Sequence, residues 1–202
     1  MTIMLTWQAD GRPGLEGTRL LPASTGRGFR ALGRMVLPSP EGDLTASYSV
    51  SVAEDGTLAR LTLSSATAER ERHFTANRTD DNCWLLDDGS GATRKEYEAV
   101  DVDVAFSPLF ASLPIRRLAL HRDAGDHEVP VVQVSLPDMD VQLVTRRYRT
   151  VRTVGEDGTA VVACSAGGGG EVEIVVDADG FVISYPGVAA RFAEAPASPV
   201  AG

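Results

Sequence analysis

Apolar and polar residues alternate along much of this chain, with the period of a β-strand rather than of a helix. Residues 44–52 read Leu-Thr-Ala-Ser-Tyr-Ser-Val-Ser-Val, so every even position is apolar and hydroxyl-bearing residues stand between. An Asp-Gly pair follows at 55–56, and residues 58–63 alternate again. Because Asp-Gly readily adopts the positive φ of a tight turn, the segment predicts a β-hairpin.

The same combination of two strands and an Asp-Gly turn occurs twice more, around 157–158 and 179–180. Three hairpins predict an antiparallel sheet. Further strands are predicted at Trp7 and at 30–37, 83–86, 99–106, 115–121, 129–136 and 141–148. Helix signals are few: a single turn through Leu113, begun by Ser107 as N-cap and Pro108, and a short terminal helix at 188–195.

Many strands with little helix leave sheet edges and one face to be covered, which proteins achieve by curling the sheet. Closing the sheet as a sandwich is the other solution. We therefore predict an all-β fold, hairpin-rich and with few short helices, in which an antiparallel sheet is either curled into a β-barrel or closed as a sandwich. The 202 residues suit one domain. We predict a single β-rich domain at 1–195 and a flexible C-terminal tail at 196–202.

Composition narrows the classes of partner. The formal charge of −9 argues against a nucleic-acid partner, since such proteins need a basic face to displace counterions. Two distant cysteines without CxxC spacing predict buried free thiols, and three histidines without ligand spacing predict solvated side chains, so no metal or cofactor is expected. No segment reaches the roughly 20 apolar residues of a membrane span, and no signal peptide is seen. We therefore expect a cytoplasmic protein. Formation of homo-oligomers is left open.

The segment 101–118 holds the most informative charges. Asp101 and Asp103 share one face of an extended segment, whereas the adjacent Arg116 and Arg117 point to opposite faces if they too are extended. Only one arginine then joins the aspartates. An arginine of this segment either forms a structural clasp with Asp101 or Asp103 or binds a phosphate, sulfate or carboxylate head group. The two roles can coexist.

Three further residues, on two strands, are candidates. Arg146 and Tyr148 share one face of the most basic strand, which either lines the mouth of a pocket or is a solvated cationic face. Tyr185, which ends the last hairpin, is either an amphipathic wall of a binding site or a core residue whose hydroxyl bonds to the backbone.

From about residue 84 to 191, the order of landmarks resembles the putative glycolipid-binding family, first defined as a domain of unknown function. The landmarks are Asp-Val-Asp-Val at 101–104, Ser-Pro at 107–108, Leu-Pro-Ile-Arg-Arg-Leu at 113–118, Arg-Tyr-Arg at 147–149, and Val-Asp-Ala-Asp-Gly-Phe-Val-Ile-Ser-Tyr-Pro-Gly at 176–187, followed by Arg191. Trp7 and Glu16 also resemble the opening of that family. The chain departs from the pattern in its apolar 107–112 turn and at Ser184, where an acidic residue is expected.

The resemblance implies an open antiparallel barrel shaped like a half-shell, similar to bacterial lipoprotein carriers, that binds a lipid or glycolipid in its concave face. We therefore predict noncatalytic binding of a small amphiphile in a large, mainly apolar pocket. The predicted ligand contacts are Asp101, Asp103, Arg116, Arg117, Arg146, Tyr148 and Tyr185. No catalytic residue is assigned, because no nucleophile, metal or phosphate motif is present.

Two alternatives stay open. One is an enzyme acting on a small anionic substrate, with Asp101 and Asp103 as acid and base and Arg116 or Arg117 as the anchor. The other is an assembly module whose exposed sheet face pairs with another subunit.

Overall fold

Strands dominate the computed structural model, which describes residues 2–38, 42–79, 81, 83–166 and 169–192. Within these residues there are fifteen strands and one helix. They are β1 (Ile3–Ala9), β2 (Leu15–Pro22), β3 (Phe29–Leu37), β4 (Leu44–Val52), β5 (Leu58–Ala66), β6 (Glu71–Arg78), β7 (Trp84–Asp87), β8 (Thr93–Lys95), β9 (Asp101–Val104), α1 (Pro108–Arg117), β10 (Asp126–Val134), β11 (Val141–Arg152), β12 (Thr159–Ala166), β13 (Val172–Asp177), β14 (Val182–Tyr185) and β15 (Ala189–Arg191).

All fifteen strands lie in one sheet, in the order β8-β7-β6-β5-β4-β3-β2-β1-β15-β14-β13-β12-β11-β10-β9. Neighbours are antiparallel except β9 and β10, which run parallel. The two ends of the sheet approach each other, since Leu58 N donates to the Val100 carbonyl (3.1 Å) and the Trp84 indole donates to the Ala99 carbonyl (3.0 Å). The edge strands β8 and β9 do not pair, so the predicted curled, open half-barrel is confirmed.

The strand predicted from the alternation of residues 44–52 has the same first and last residues as β4. Its five apolar side chains are buried, and the hydroxyl-bearing residues between them lie on the outer face. The three predicted hairpins are confirmed as β4–β5, β11–β12 and β13–β14. Period-2 patterning therefore defines the sheet wherever the inward residues are apolar.

Helix α1 lies where the sequence predicts a single helical turn followed by a strand. It runs from Pro108 to Arg117 instead of ending at Leu113, and the strand predicted at 115–121 is wrong. Every residue from Pro108 to Ile115 is buried, so contacts on all sides of the helix stabilise it despite the internal Pro114. Ser107 stands at the N-cap position, but its hydroxyl does not cap the helix.

The helix fills the concave face of the sheet. Leu109, Phe110 and Leu113 pack into the core formed by β1–β7 and β9, whereas Ala111 and Ile115 pack into a second core under β10–β14. Helix α1 thus occupies the space on this face where the sequence predicts a large, mainly apolar pocket. Any ligand of the interior must therefore bind beside α1 or displace it.

The C-terminal end of the described chain is a strand, so the terminal helix predicted at 188–195 is wrong. A turn with positive φ at Gly187 (76°) returns the chain into β15, which pairs with β1 on one side and β14 on the other. Residues 193–195 and the predicted tail at 196–202 lie outside the described residues. The single-domain boundary at 195 stays a prediction.

Two smaller predictions have different outcomes. The buried free thiols are confirmed at Cys83 and Cys164. The solvated state predicted for the histidines is wrong for His121, which is buried under the β13–β14 turn and whose pKa is lowered by that burial. His121 follows α1 in a turn, where a Cβ built on Gly180 would stand 3.0 Å from Nδ1 of its ring.

Candidate functional site

One aspartate and one arginine of 101–118, Asp101 and Arg117, form a structural clasp. Arg117 Nε and Nη2 donate to the Asp101 carboxylate at 3.0 and 2.7 Å, and the Asp101 side chain is fully buried. Burial raises the pKa of Asp101, and the guanidinium of Arg117 opposes that rise. The Arg27 side chain also donates to the Arg117 carbonyl. The pair therefore fastens the C-terminal end of α1 to β9.

Arg116 takes a different direction. Its guanidinium lies 4.1 Å from the centre of the Phe181 ring and donates to the Asp179 carbonyl, so it fastens α1 to the β13–β14 turn. The expectation that only one arginine reaches the aspartates holds. The reason is helical rather than extended geometry, because successive side chains on a helix diverge by about 100°.

Asp103 has its own partner, Arg146 of β11. Parallel β9–β10 pairing and antiparallel β10–β11 pairing place Asp103, Gln133 and Arg146 on the same face of the sheet. Burial raises the pKa of Asp103, and Arg146 opposes that rise. Burial lowers the pKa of Arg146, but attraction to Asp103 together with the nearby Tyr148, Tyr185 and Cys164 outweighs that effect, so the pKa lies above its ordinary value.

A cavity of about 160 Å³ lies beside this second pair. Four of the seven predicted ligand contacts line it, namely Asp103, Arg146, Tyr148 and Tyr185. Asp101, Arg116 and Arg117 do not. The wall also includes residues that the sequence did not single out as contacts: Val104, Ala105, Phe106, Ser107, Ala111, Gln133 and Val188.

The cavity offers several hydrogen-bonding groups. Burial raises the pKa of Tyr148 well above its ordinary value and that of Tyr185 to about 12, so both phenols keep their protons at neutral pH. Arg146 Nε is buried without a partner among the described residues. Phenolic hydroxyls, a guanidinium N–H and a carboxylate together match the donors and acceptors of a sugar or another polyhydroxyl group.

Phe106 forms an apolar wall of the cavity and is partly exposed. Its φ is +70°, a conformation that costs a bulky residue about 1–3 kcal/mol and that clusters at binding sites. The Arg12 guanidinium stacks over the ring at 3.9 Å from its centre. The surrounding structure therefore holds an aromatic side chain in a strained position beside the polar wall.

Behind Ser107 lies a second buried polar cluster, centred on Glu16 of β2. Oε1 of Glu16 accepts hydrogen bonds from the hydroxyls of Ser107 (2.8 Å), Tyr48 (2.5 Å) and Thr18 (3.3 Å). Oε2 is buried without a partner among the described residues. Burial raises the pKa of Glu16 to about 7, although the three hydroxyls lower it. Ser107 thus connects a titratable core carboxyl to the cavity.

Close packing between strands fixes this cluster. Tyr48 lies across from Gly33 of β3, and a Cβ built on Gly33 would stand 2.0 Å from the tyrosine ring. We expect Gly33→Ala to lower the free energy of unfolding by about 1–3 kcal/mol, because the hydrogen-bonded ring cannot move away. Gly17→Ala on β2 is the matched control, since no atom lies within 4 Å of its Cβ. Urea unfolding of both variants checks this, and equal midpoints would contradict it.

A larger hollow of about 760 Å³ lies at the edge formed by β7 and β8. It includes no residue predicted from the sequence, and charges of both signs line it, with Arg94 paired to Asp81 at 2.6 Å. Among the described residues, no group of three or more His, Cys, Asp or Glu side chains is placed to hold a metal ion. The cavity beside β9 is therefore the better candidate site.

Comparisons with known proteins agree with the fold. The family model described as putative glycolipid-binding matches residues 4–191. The chain is similar to the crystal structure of a DUF1089 family protein from Pseudomonas aeruginosa, with 19% identity and a TM-score of 0.71 over 92% of this chain and 95% of that one. It is also similar to a beta-barrel-like DUF1849 protein from Brucella abortus, with 8% identity and a TM-score of 0.54 over 91% and 89% of the two chains. No curated protein matches the chain significantly.

The two solved structures support the architecture alone, because both identities are below a quarter. Within the described part of the chain, no helix has the length and apolar character needed to cross a membrane.

Proposed function

Because the chain belongs to the putative glycolipid-binding family, we propose that it binds a small amphiphile, a lipid or glycolipid, with the polar head in the cavity beside β9. One observation carries the proposal. Asp103, Arg146, Tyr148 and Tyr185, which come from three separate strands and were chosen from sequence, line a single cavity. Convergence of polar side chains on one partly apolar cavity is typical of a binding site.

The polar wall suits a sugar-like head. Asp103 accepts hydrogen bonds from ligand hydroxyls, and the unpartnered Nε of Arg146 donates one. The rings of Tyr148 and Tyr185 supply apolar walls whose hydroxyls stay protonated. Because Asp103 and Arg146 neutralise each other, the site favours a polar but uncharged group over a strong anion.

The size of the cavity limits what enters it. A volume of about 160 Å³ is below the roughly 300–1,000 Å³ of ordinary small-molecule pockets, so only a head group fits. The apolar chain of the ligand then leaves past Phe106 and Val188, which border the cavity with apolar side chains. This arrangement leaves α1 in place.

The proposed role is noncatalytic. An acid and base pair needs carboxylates free to exchange protons, whereas Asp101 and Asp103 are each paired with a separate arginine. The anchors of the enzyme alternative, Arg116 and Arg117, do not line the cavity. A cytoplasmic location and a homo-oligomeric state stay predictions.

Native mass spectrometry of protein purified without detergent tests the proposal. A retained mass of lipid size supports it, and titration with a fluorescent glycolipid then measures affinity. We expect Tyr185→Phe to weaken that affinity roughly five- to tenfold, the value of one hydrogen bond. Tyr97→Phe, in the separate hollow at β7–β8, is the matched control and should leave affinity unchanged. Absence of any retained mass together with no titration by the lipid contradicts the proposal.

A further inference from the structure

The outer face of β1–β5 has a charge opposite to that of the whole chain. Its outward positions hold no aspartate or glutamate, although the sequence has 28 acidic residues against 19 lysines and arginines. The charged residues on this face are Arg19, Arg30, Arg34 and Arg60. None of them forms an ion pair with a described residue, whereas arginines elsewhere in the sheet are paired with acids, as in Arg147–Asp126 and Arg149–Glu171.

Exposed apolar side chains stand between these arginines. Leu15 and Val36 are cross-strand partners, and Arg19 pairs in register with Met4 on one side and Leu32 on the other. Met4 and Val36 are 66% and 56% exposed. Single exposed apolar residues are ordinary, but four that alternate with unpaired arginines on one sheet face form a patch with a mixed chemistry.

A shallow hollow within this face collects polar donors. It has a volume of about 320 Å³, and Arg34 lines it together with Ser47 and Ser64, which follow it in register across β4 and β5. Gly17 occupies the next position of the row on β2 and leaves open space beside Arg34. Glu71 of β6 also lines the hollow, and its Oε1 lies 3.6 Å from Nε2 of His73. A guanidinium flanked by hydroxyls is a chemistry that binds phosphate.

We propose that the outer face of β1–β5 docks on an anionic lipid bilayer, with the four arginines at the phosphate groups and Met4, Leu15, Leu32 and Val36 in the interfacial layer. Basic and apolar residues on one surface are the combination that interfacial binding requires. A nucleic-acid partner is disfavoured, because the outward positions of these five strands hold no aromatic side chain on which a base could stack.

This surface is separate from the cavity beside β9, which lies on the inner face of the sheet. Membrane docking therefore does not depend on head-group binding in the cavity. Together the two would allow the protein to meet a bilayer on one face and hold one amphiphile on the other.

Vesicle flotation tests the docking. We expect the protein to float with equimolar phosphatidylcholine and phosphatidylglycerol vesicles, to stay behind with phosphatidylcholine alone, and to be released near 1 M salt, where the screening length is about 3 Å. Arg19→Gln/Arg34→Gln should lower the partition coefficient roughly 25-fold, about fivefold for each arginine. Arg147→Gln/Arg149→Gln on β11 removes the same charge from another face and should change it by less than about twofold.

Three outcomes would overturn the proposal. The first is no flotation of the wild-type protein with anionic vesicles. The second is an equal loss in both double variants, which would show that net charge alone matters. The third is binding to single-stranded RNA as strong as binding to vesicles and unaffected by Leu32→Ser/Val36→Ser, which would identify a nucleic-acid surface. Tyr185→Phe should leave flotation unchanged, so failure of the cavity proposal and failure of this one are distinguishable.

Discussion

Replacing Arg117 by leucine is expected to lower the free energy of unfolding by about 3–5 kcal/mol, because the change removes the guanidinium that forms hydrogen bonds to the fully buried carboxylate of Asp101. The effect should exceed that of Arg116→Leu, which removes a cation–π contact to Phe181 and one backbone hydrogen bond, together about 1–2 kcal/mol. Urea unfolding monitored by tryptophan fluorescence measures both losses.

A double-mutant cycle separates the charge pair from simple packing. Asp101→Asn/Arg117→Leu removes both charges, so the double variant should be more stable than the sum of the single losses predicts, by about 0.5–3 kcal/mol. Strictly additive losses, or equal losses in Arg116→Leu and Arg117→Leu, would show that the clasp does not stabilise the junction of α1 and β9. A binding assay on the same variants is informative as well, since neither arginine lines the cavity and glycolipid affinity should be preserved in whatever fraction stays folded.

The stability of the protein should fall with rising pH because of Glu16. Its pKa in the folded chain is raised to about 7 from an ordinary value of 4.5, so between these values the folded state binds more protons than the unfolded state. The contribution of this group is fully present below pH 4.5, is lost as pH rises through 7, and amounts to about 3 kcal/mol at 1.36 kcal/mol per pKa unit. Denaturant unfolding from pH 4.5 to 8.5 measures the slope.

Glu16→Gln isolates that contribution. The amide can accept the hydrogen bonds of Ser107, Tyr48 and Thr18 but does not ionise, so the variant should match the wild type near pH 4.5 and exceed its stability above pH 7. Tyr48→Phe should shift the titration to higher pH, because the lost hydroxyl no longer stabilises the carboxylate. Parallel stability curves for the wild type and Glu16→Gln would mean that Glu16 does not titrate in this range.

Glu16 also shows why parts of the sheet could not be predicted. The inward positions of β2 are Glu16, Thr18 and Leu20, so the apolar period is absent at the two positions that carry the buried cluster. In β4 every inward position is apolar, and the predicted bounds of the strand match the observed ones at both ends. The short β8 has no buried residue and therefore no pattern to detect. Gly33 in the middle of an alternating segment was a usable sign of close approach by another side chain.

Four of the residues that line the candidate site were predictable from the sequence, but their pairings were not. Alternation predicts which face of its strand Asp103 occupies, and it predicts that Arg146 and Tyr148 share one face of a different strand. Their meeting depends on the parallel pairing of β9 with β10, which no local pattern specifies. The sequence predicts a turn and a strand for the apolar segment from Leu113 to Ile115, because a helix buried on all sides lacks the one-sided stripe by which amphipathic helices are identified.

The position of β15 has a consequence for how the chain matures. This three-residue strand lies in the interior of the sheet, between β1 and β14, yet it is the last of the described strands to be synthesised. Until it emerges from the ribosome, no described strand lies between β1 and β14, so each of these two strands has an unpaired edge able to recruit other chains. The long sequence separation between β1 and β15 means that loop-closure entropy opposes this pairing and slows it. The growing chain is therefore most vulnerable to aggregation just before synthesis of the described region is complete.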